Sequence, residues 1–268
     1  MKIPVMRGVI DRRILVNYRV DPAVLAPLLP APFRPKIVNG HGMVGICLIR
    51  LKAVRPRYFP AFLGITSENA AHRTAVEWDD PGEPSCVSSR LREGVYVRRR
   101  DTNSRLNAFG GGWLFPGIHY HADFSVRETA DEFDVALQSD DGATHMAVRT
   151  RLAPALPDAS IFPSLDEASA FFQAGSLGYS ATPDPARFQG LELRCDAWKV
   201  EPLDVLEVRS SFFDDPALFP PGSIAFDCAL LMRGIEHEWH GKSDLCCTAP
   251  ATQQKSRAMA NAGAADSL

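Results

Sequence analysis

The sequence predicts an α+β chain built predominantly of antiparallel β-structure with few short helices. Three observations carry this. β-prone stretches bounded by Pro, Gly, Asn and Asp recur along the 268 residues. Asp140-Asp141-Gly142 between two alternating segments is a hairpin signal, because Asp and Gly tolerate the positive φ of tight turns. Only one segment, Leu165 to Ala174, has clear helical amphipathicity.

Taken in order, Ile10 to Val20 is β-prone, and Asp21-Pro22 then opens a short helix over Ala23 to Leu29, with Asp21 as N-cap; Pro30 and Pro32 close it. Met43 to Val54 reads as a strand reached through Asn39-Gly40, and Val87 to Arg99 as another. His119 to Arg127 alternates polar with apolar residues, as a half-buried strand does. Phe133 to Ser139 and Thr144 to Leu152 form the hairpin. Ser164 and Glu167 make a capping box for the 165–174 helix, and Gly175 supplies its stop. Leu191 to Val200, Val205 to Phe213 and Ala225 to Trp239 complete the strands. Residues 1–248 are expected to form one domain, and 249–268, rich in Ala, Ser, Gln and Asn without periodicity, a disordered tail.

A hydrophobic share of 46% supplies a substantial core, while 23% charged residues and a net charge of −3 suit an ordinary soluble surface and give no nucleic-acid footprint. The longest apolar stretches fall short of a bilayer span, so no membrane partner is expected. Six cysteines without Cys-x-x-Cys spacing, and no signal-peptide core, point to reduced thiols and a cytoplasmic location.

Arg12 to Pro22 (RRILVNYRVDP), followed by Leu28-Leu29-Pro30, resembles the opening of the uncharacterised YqjF-like family, grouped with acetoacetate decarboxylase. Ser67 to Arg73, Asn103 to Leu106 and Met232 to His240 are similar to that family too, so the resemblance spans roughly residues 3 to 245. It implies an acetoacetate-decarboxylase-like fold of curved sheets in a cone-shaped β-barrel. The decarboxylase itself is matched more weakly, at Tyr18 to Pro22, at Glu68 and at Phe115-Pro116. In that enzyme the aromatic-Pro pair precedes two lysines, one forming the Schiff base and the other lowering its pKa; here Gly117 and Ile118 follow. Imine chemistry needs a neutral amine, which neither residue offers, so acetoacetate decarboxylation is not expected.

Several constellations are candidates for other chemistry. Glu68 and His72, four apart, meet if the segment is helical or looped, and can act as an acid–base pair, as two ligands or as a structural pair. His119 and His121 share one face of their strand, beside the position of the missing lysines. Two imidazoles alone do not make a metal site, and no metal or other cofactor is expected. Arg12 and Arg13 face opposite ways on their strand, so at most one lines a pocket; the resemblance favours Arg12 as an anion anchor. Lys52 and Lys199, each in an expected strand, are the substitute amines to consider. Strand alternation splits the basic run Arg98-Arg99-Arg100 between faces, and Gly110-Gly111-Gly112 reads as a bend.

The expectation is a small-molecule enzyme acting on a carboxylate or carbonyl compound by lyase, hydratase or isomerase chemistry without an imine. Glu68, His119 and His121 are its catalytic candidates; Arg12, His72, Tyr120 and Phe115 are its substrate-binding candidates. The alternative is a non-catalytic binding or sensor domain that kept the pocket. A homo-oligomer is expected by superfamily analogy alone.

Overall fold

Residues 14–18 of the first strand, β1 (Met6–Val20), are buried without a break, as in a strand packed on both faces. The computed structural model describes residues 4–80, 90–109 and 115–247. After β1 come α1 (Pro22–Leu25), a 3₁₀ turn at Ala26–Leu28, β2 (Arg34–Pro35), β3 (Ile37–Val38), β4 (His41–Pro56), β5 (Ile65–Asp80), β6 (Arg90–Thr102) and α2 (Arg105–Phe109). The second half holds β7 (His119–Glu128), β8 (Glu132–Ser139), β9 (His145–Leu152), α3 (Leu165–Ala174), β10 (Leu177–Ala181), β11 (Arg187–Cys195), β12 (Glu201–Ser210) and β13 (Ile224–Cys246).

Among the described residues thirteen strands join one predominantly antiparallel sheet, in which only β10–β6 and β6–β7 pair in parallel. The sheet closes on itself twice. A smaller ring runs β5–β6–β10–β11–β13–β1–β4, and a larger ring runs β6–β7–β8–β9–β12–β13–β1–β4–β5. The wall β13–β1–β4–β5–β6 belongs to both. Strand alternation then feeds two cores: Ile14, Leu48 and Leu231 face the larger ring, while Leu15, Ile49 and Leu230 face the smaller one with Ala168 and Phe172 of α3. This double burial explains the unbroken buried runs in β1 and β4.

Local signals fold as their chemistry dictates. The Asp21 carboxylate accepts from the Ala23 N–H at 2.8 Å and starts α1, although the helix gives way to the 3₁₀ turn after Leu25. Asn39 and Gly40 both take positive φ and turn β3 into β4 as a hairpin. Ser164 Oγ accepts from the Glu167 N–H at 3.2 Å, and α3 ends at Gly175, which has φ −79° rather than the left-handed conformation. The 191–200 and 205–213 strands lie earlier than expected, as β11 and β12, and β12 stops at Ser210 because Phe212 and Phe213 turn into the larger core. β5, β10 and α2 were not legible as such. The start of the 87–99 segment, the Gly110 to Gly112 bend and the tail from 249 lie outside the described residues. No helix among the described residues is long and apolar enough to cross a membrane.

Candidate functional site

The register of the shared wall decides which side chains meet. One cross-strand row runs Leu15, Cys47, Ala71, Arg100 and His119 across β1, β4, β5, β6 and β7. The row two residues away in one direction carries Arg13, and the row in the other direction carries Arg73. Rows two apart share a face. Arg13, Cys47, Arg73, Arg100 and His119 accordingly line one cavity of about 90 Å³ inside the smaller ring. Small side chains at Ala71, Gly175 and Gly178 leave it open, and Phe115 and Trp239, whose rings lie edge to face at 5.6 Å, form an apolar wall.

The cavity is cationic. Arg13 donates from Nε to Cys47 Sγ at 3.2 Å and stacks its guanidinium over Trp198. Arg73 donates to Asn17 Oδ1 and lies over Phe172, and its buried Nε has no partner. Arg100 donates from Nε and Nη2 to Ser180 Oγ at 3.2 and 3.0 Å. Among the described residues none of the three meets a carboxylate. Burial lowers Arg73 and Arg100 to about 10, so both remain charged at neutral pH. Asp101 reaches the cavity, but its carboxylate is taken by Arg99 at 2.8 Å.

His119 is the neutral member of the group. Its Nδ1 lies 3.3 Å from the Gly117 carbonyl, which can only accept, so Nδ1 carries the proton and Nε2 keeps its lone pair. Burial, reinforced by the charge of Arg100, pushes the imidazole down to about 3. Gly117 itself has φ +87°, and a Cβ there would lie 2.5 Å from Ser180 Cβ. The position where the resemblance places a lysine is closed to any side chain.

Of the catalytic and substrate-binding candidates named from the sequence, Phe115 and His119 line this cavity, and Glu68, His72, His121, Tyr120 and Arg12 do not. Arg12, 2% exposed, faces the larger ring and forms a network with Glu68 (2.5 Å) and Glu128 (2.9 Å); Arg50 joins through Glu68 at 2.6 Å and also binds Glu128. Burial opposes the Arg50 charge, but its bonds to Glu128 and Glu68 prevail and raise its pKa. Glu68 and His72 lie on strand β5, not on a helix, and do not meet. His72 is buried against Phe212 and Phe213, with neither ring nitrogen bonded. His121 Nδ1 pairs with Asp140 at 2.9 Å, and Tyr120 lies beneath the Arg99 guanidinium at 3.8 Å. Among the described residues no group of three or more His, Cys, Asp or Glu is placed to hold a metal ion. Lys52 pairs with Asp11 at 2.8 Å and Lys199 is exposed; no lysine lines the cavity among the described residues.

Comparison with protein families finds a match over residues 10–230 to DUF2071, described as an uncharacterized conserved protein. The chain belongs to the DUF2071 family. This is the YqjF-like family that its opening residues resemble. No curated protein matches the sequence. Among solved structures, the fold is similar to an acetoacetate decarboxylase-like enzyme from Sphingomonas wittichii RW1, with TM-score 0.55 and 11% identity over 92% of this chain and 94% of that one. It is also similar to acetoacetate decarboxylase from Legionella pneumophila subsp. pneumophila str. Philadelphia 1 (0.55, 14% identity, 90% and 88% covered). The enduracididine biosynthesis enzyme MppR, complexed with pyruvate, gives 0.53 and 13% identity with 90% of each chain covered. At such identities the likeness establishes the fold alone: the DUF2071 chain has an acetoacetate-decarboxylase-like fold.

Sequence reasoning favoured Arg12 over Arg13, took Arg100 only as part of a basic run, and did not single out Arg73 or Cys47. Alternation narrowed the Arg12/Arg13 choice to one of two, and the signal that selects Arg13 is which ring curls over which face of β1. That is a property of β10, β11 and β13, far along the chain.

Proposed function

We propose that this DUF2071 protein acts on a small carboxylate bearing a carbonyl group, bound in the smaller ring, by acid–base chemistry that uses no imine. The observation that carries the reading is the grouping of three guanidinium groups, without carboxylate partners among the described residues, and one neutral imidazole around a single small cavity. Charged groups are buried when something pairs them, and an organic acid supplies that pairing. A volume of about 90 Å³ suits a short acid and not a nucleotide or a drug-sized ligand.

In this reading His119 Nε2 accepts a proton from the carbon next to the substrate carbonyl. Arg100, its cross-strand neighbour, stabilises the oxyanion that develops. The bound carboxylate offsets part of the cationic field, which strengthens His119 as a base once the substrate is in place. The role is given to His119 rather than Glu68, because the Glu68 carboxylate is engaged by Arg12 and Arg50 on the other face of the wall. Pyruvate, which the structurally similar MppR binds, is a suitable probe.

Proton abstraction from pyruvate in D₂O replaces its methyl protons with deuterium, followed directly by NMR. The expected result is exchange catalysed by the wild-type protein and reduced at least 100-fold in His119→Gln, with pyruvate binding retained within a few-fold. Binding of pyruvate and other short 2-oxo acids with no exchange in any of them would instead make the domain a binding module.

A further inference from the structure

The charges around the cavity do not balance for a singly charged ligand. Arg13, Arg73 and Arg100 bring three positive charges; Asp101, the one acid lining the cavity among the described residues, is engaged by Arg99, which it shares with Asp141, so at most one negative charge stands against the three. His119 adds none, being held neutral by burial. The neutral partners of the three arginines, Cys47 Sγ, Met232 Sδ, Asn17 Oδ1 and Ser180 Oγ, satisfy hydrogen-bonding geometry and leave the charge uncompensated.

The placement of these arginines also argues for a ligand with two anionic ends. Arg13 and Arg73 stand on strands separated by β4, in rows four residues apart. With about 3.3 Å per residue along a strand and about 4.8 Å between strands, their roots lie roughly 16 Å apart. Arg100 stands on a third strand, beside His119. One carboxylate offers two oxygens about 2 Å apart and accepts a bidentate guanidinium well. Arg13 is held on Cys47 and Trp198 and Arg73 on Asn17 and Phe172, so the two guanidinium groups offer two separate places for an anionic end. Trp239 adds a donor at the apolar wall, since its buried indole N–H has no partner.

We propose that the cavity selects small dianions, the class of short dicarboxylic acids, over monocarboxylates of equal length. This rests on the anion-binding reading above and narrows its substrate class: one carboxylate is held by Arg13 or Arg73, and the other, next to the reacting carbon, is held near Arg100 and His119.

The test is calorimetric titration of the full chain at pH 7.5 and fixed ionic strength with matched pairs: malonate against propionate, and succinate against butyrate. The expected result is at least ten-fold tighter binding of each dianion. Arg13→Gln and Arg73→Gln should each bring that ratio towards one, while the surface variant Arg233→Gln should leave it unchanged. Equal affinities within two-fold in the wild-type protein overturn the dianion assignment and leave anion binding standing. Absence of binding by all four acids overturns both. The wild-type ratios alone decide the matter if a cavity variant fails to fold.

Discussion

Ser180 packs directly against Gly117, with no room between them for a methyl group: a Cβ on Gly117 would sit 2.5 Å from Ser180 Cβ. The same serine holds Arg100 through its Oγ. The contact therefore joins two facts about the site, the loss of a lysine position and the retention of a cation. Gly117→Ala is expected to lower stability by about 2 kcal/mol, since φ +87° already disfavours a side chain and the clash adds to it. Gly117→Lys should destabilise at least as much and form no borohydride-reducible adduct with acetoacetate, read by thermal denaturation and intact mass.

The Arg12–Glu68–Arg50–Glu128 network crosses the wall on the face of the larger ring, and its consequence is stability. Glu68→Gln removes a carboxylate shared by two guanidinium groups, one of them fully buried. A loss of about 3 kcal/mol in urea unfolding is expected. Succinate affinity of the folded variant should stay within two-fold of wild type, because Glu68 does not line the cavity.

Cys47 gives a chemical probe of the cavity field. Iodoacetate is an anion and iodoacetamide is neutral, so a thiol among Arg13, Arg73 and Arg100 should favour the charged reagent relative to the exposed Cys246. Peptide mapping after limited alkylation reads the ratio. Arg13→Gln should reduce the preference at Cys47 and leave Cys246 unaffected.

Two buried imidazoles, His72 and His237, and the half-buried His119 make the protein acid-sensitive. Burial lowers His72 and His119 to about 3 and His237 to about 4. Below about pH 6.5 an unfolded histidine binds a proton that the folded one refuses. The unfolded state thus gains protons as pH falls, and stability drops through the window from about 6.5 down to about 3–4, by at most about 1.4 kcal/mol per pH unit for each histidine. His72→Leu should flatten the fall in urea midpoint between pH 7 and pH 5. It should also cost little at pH 7, because neither ring nitrogen of His72 is bonded.

The β-rich class, the 140–142 hairpin and the α3 capping residues were legible because each rests on local chemistry. β5 was not: Ser67-Glu68-Asn69-Ala70-Ala71-His72 has no β-branched residue, and the segment is a strand because β4 and β6 pair with it on both sides. β10 is five residues long and held in a parallel pairing to β6, a contact that no local pattern records. At the site, alternation separated Arg12 from Arg13 correctly and split Arg98, Arg99 and Arg100 between faces. It did not say which face would carry the cavity. In strands buried on both sides, periodicity cannot distinguish one core from the other, and the answer lies in ring closure by β10, β11 and β13.

A crystal structure with pyruvate bound tests the central claim most directly. The expected result is a carboxylate inside the smaller ring, within hydrogen-bonding distance of Arg13, Arg73 or Arg100, with the methyl carbon beside His119 Nε2. Pyruvate seated instead in the larger ring at Arg12 and Glu68, or only on the outer surface, would contradict it.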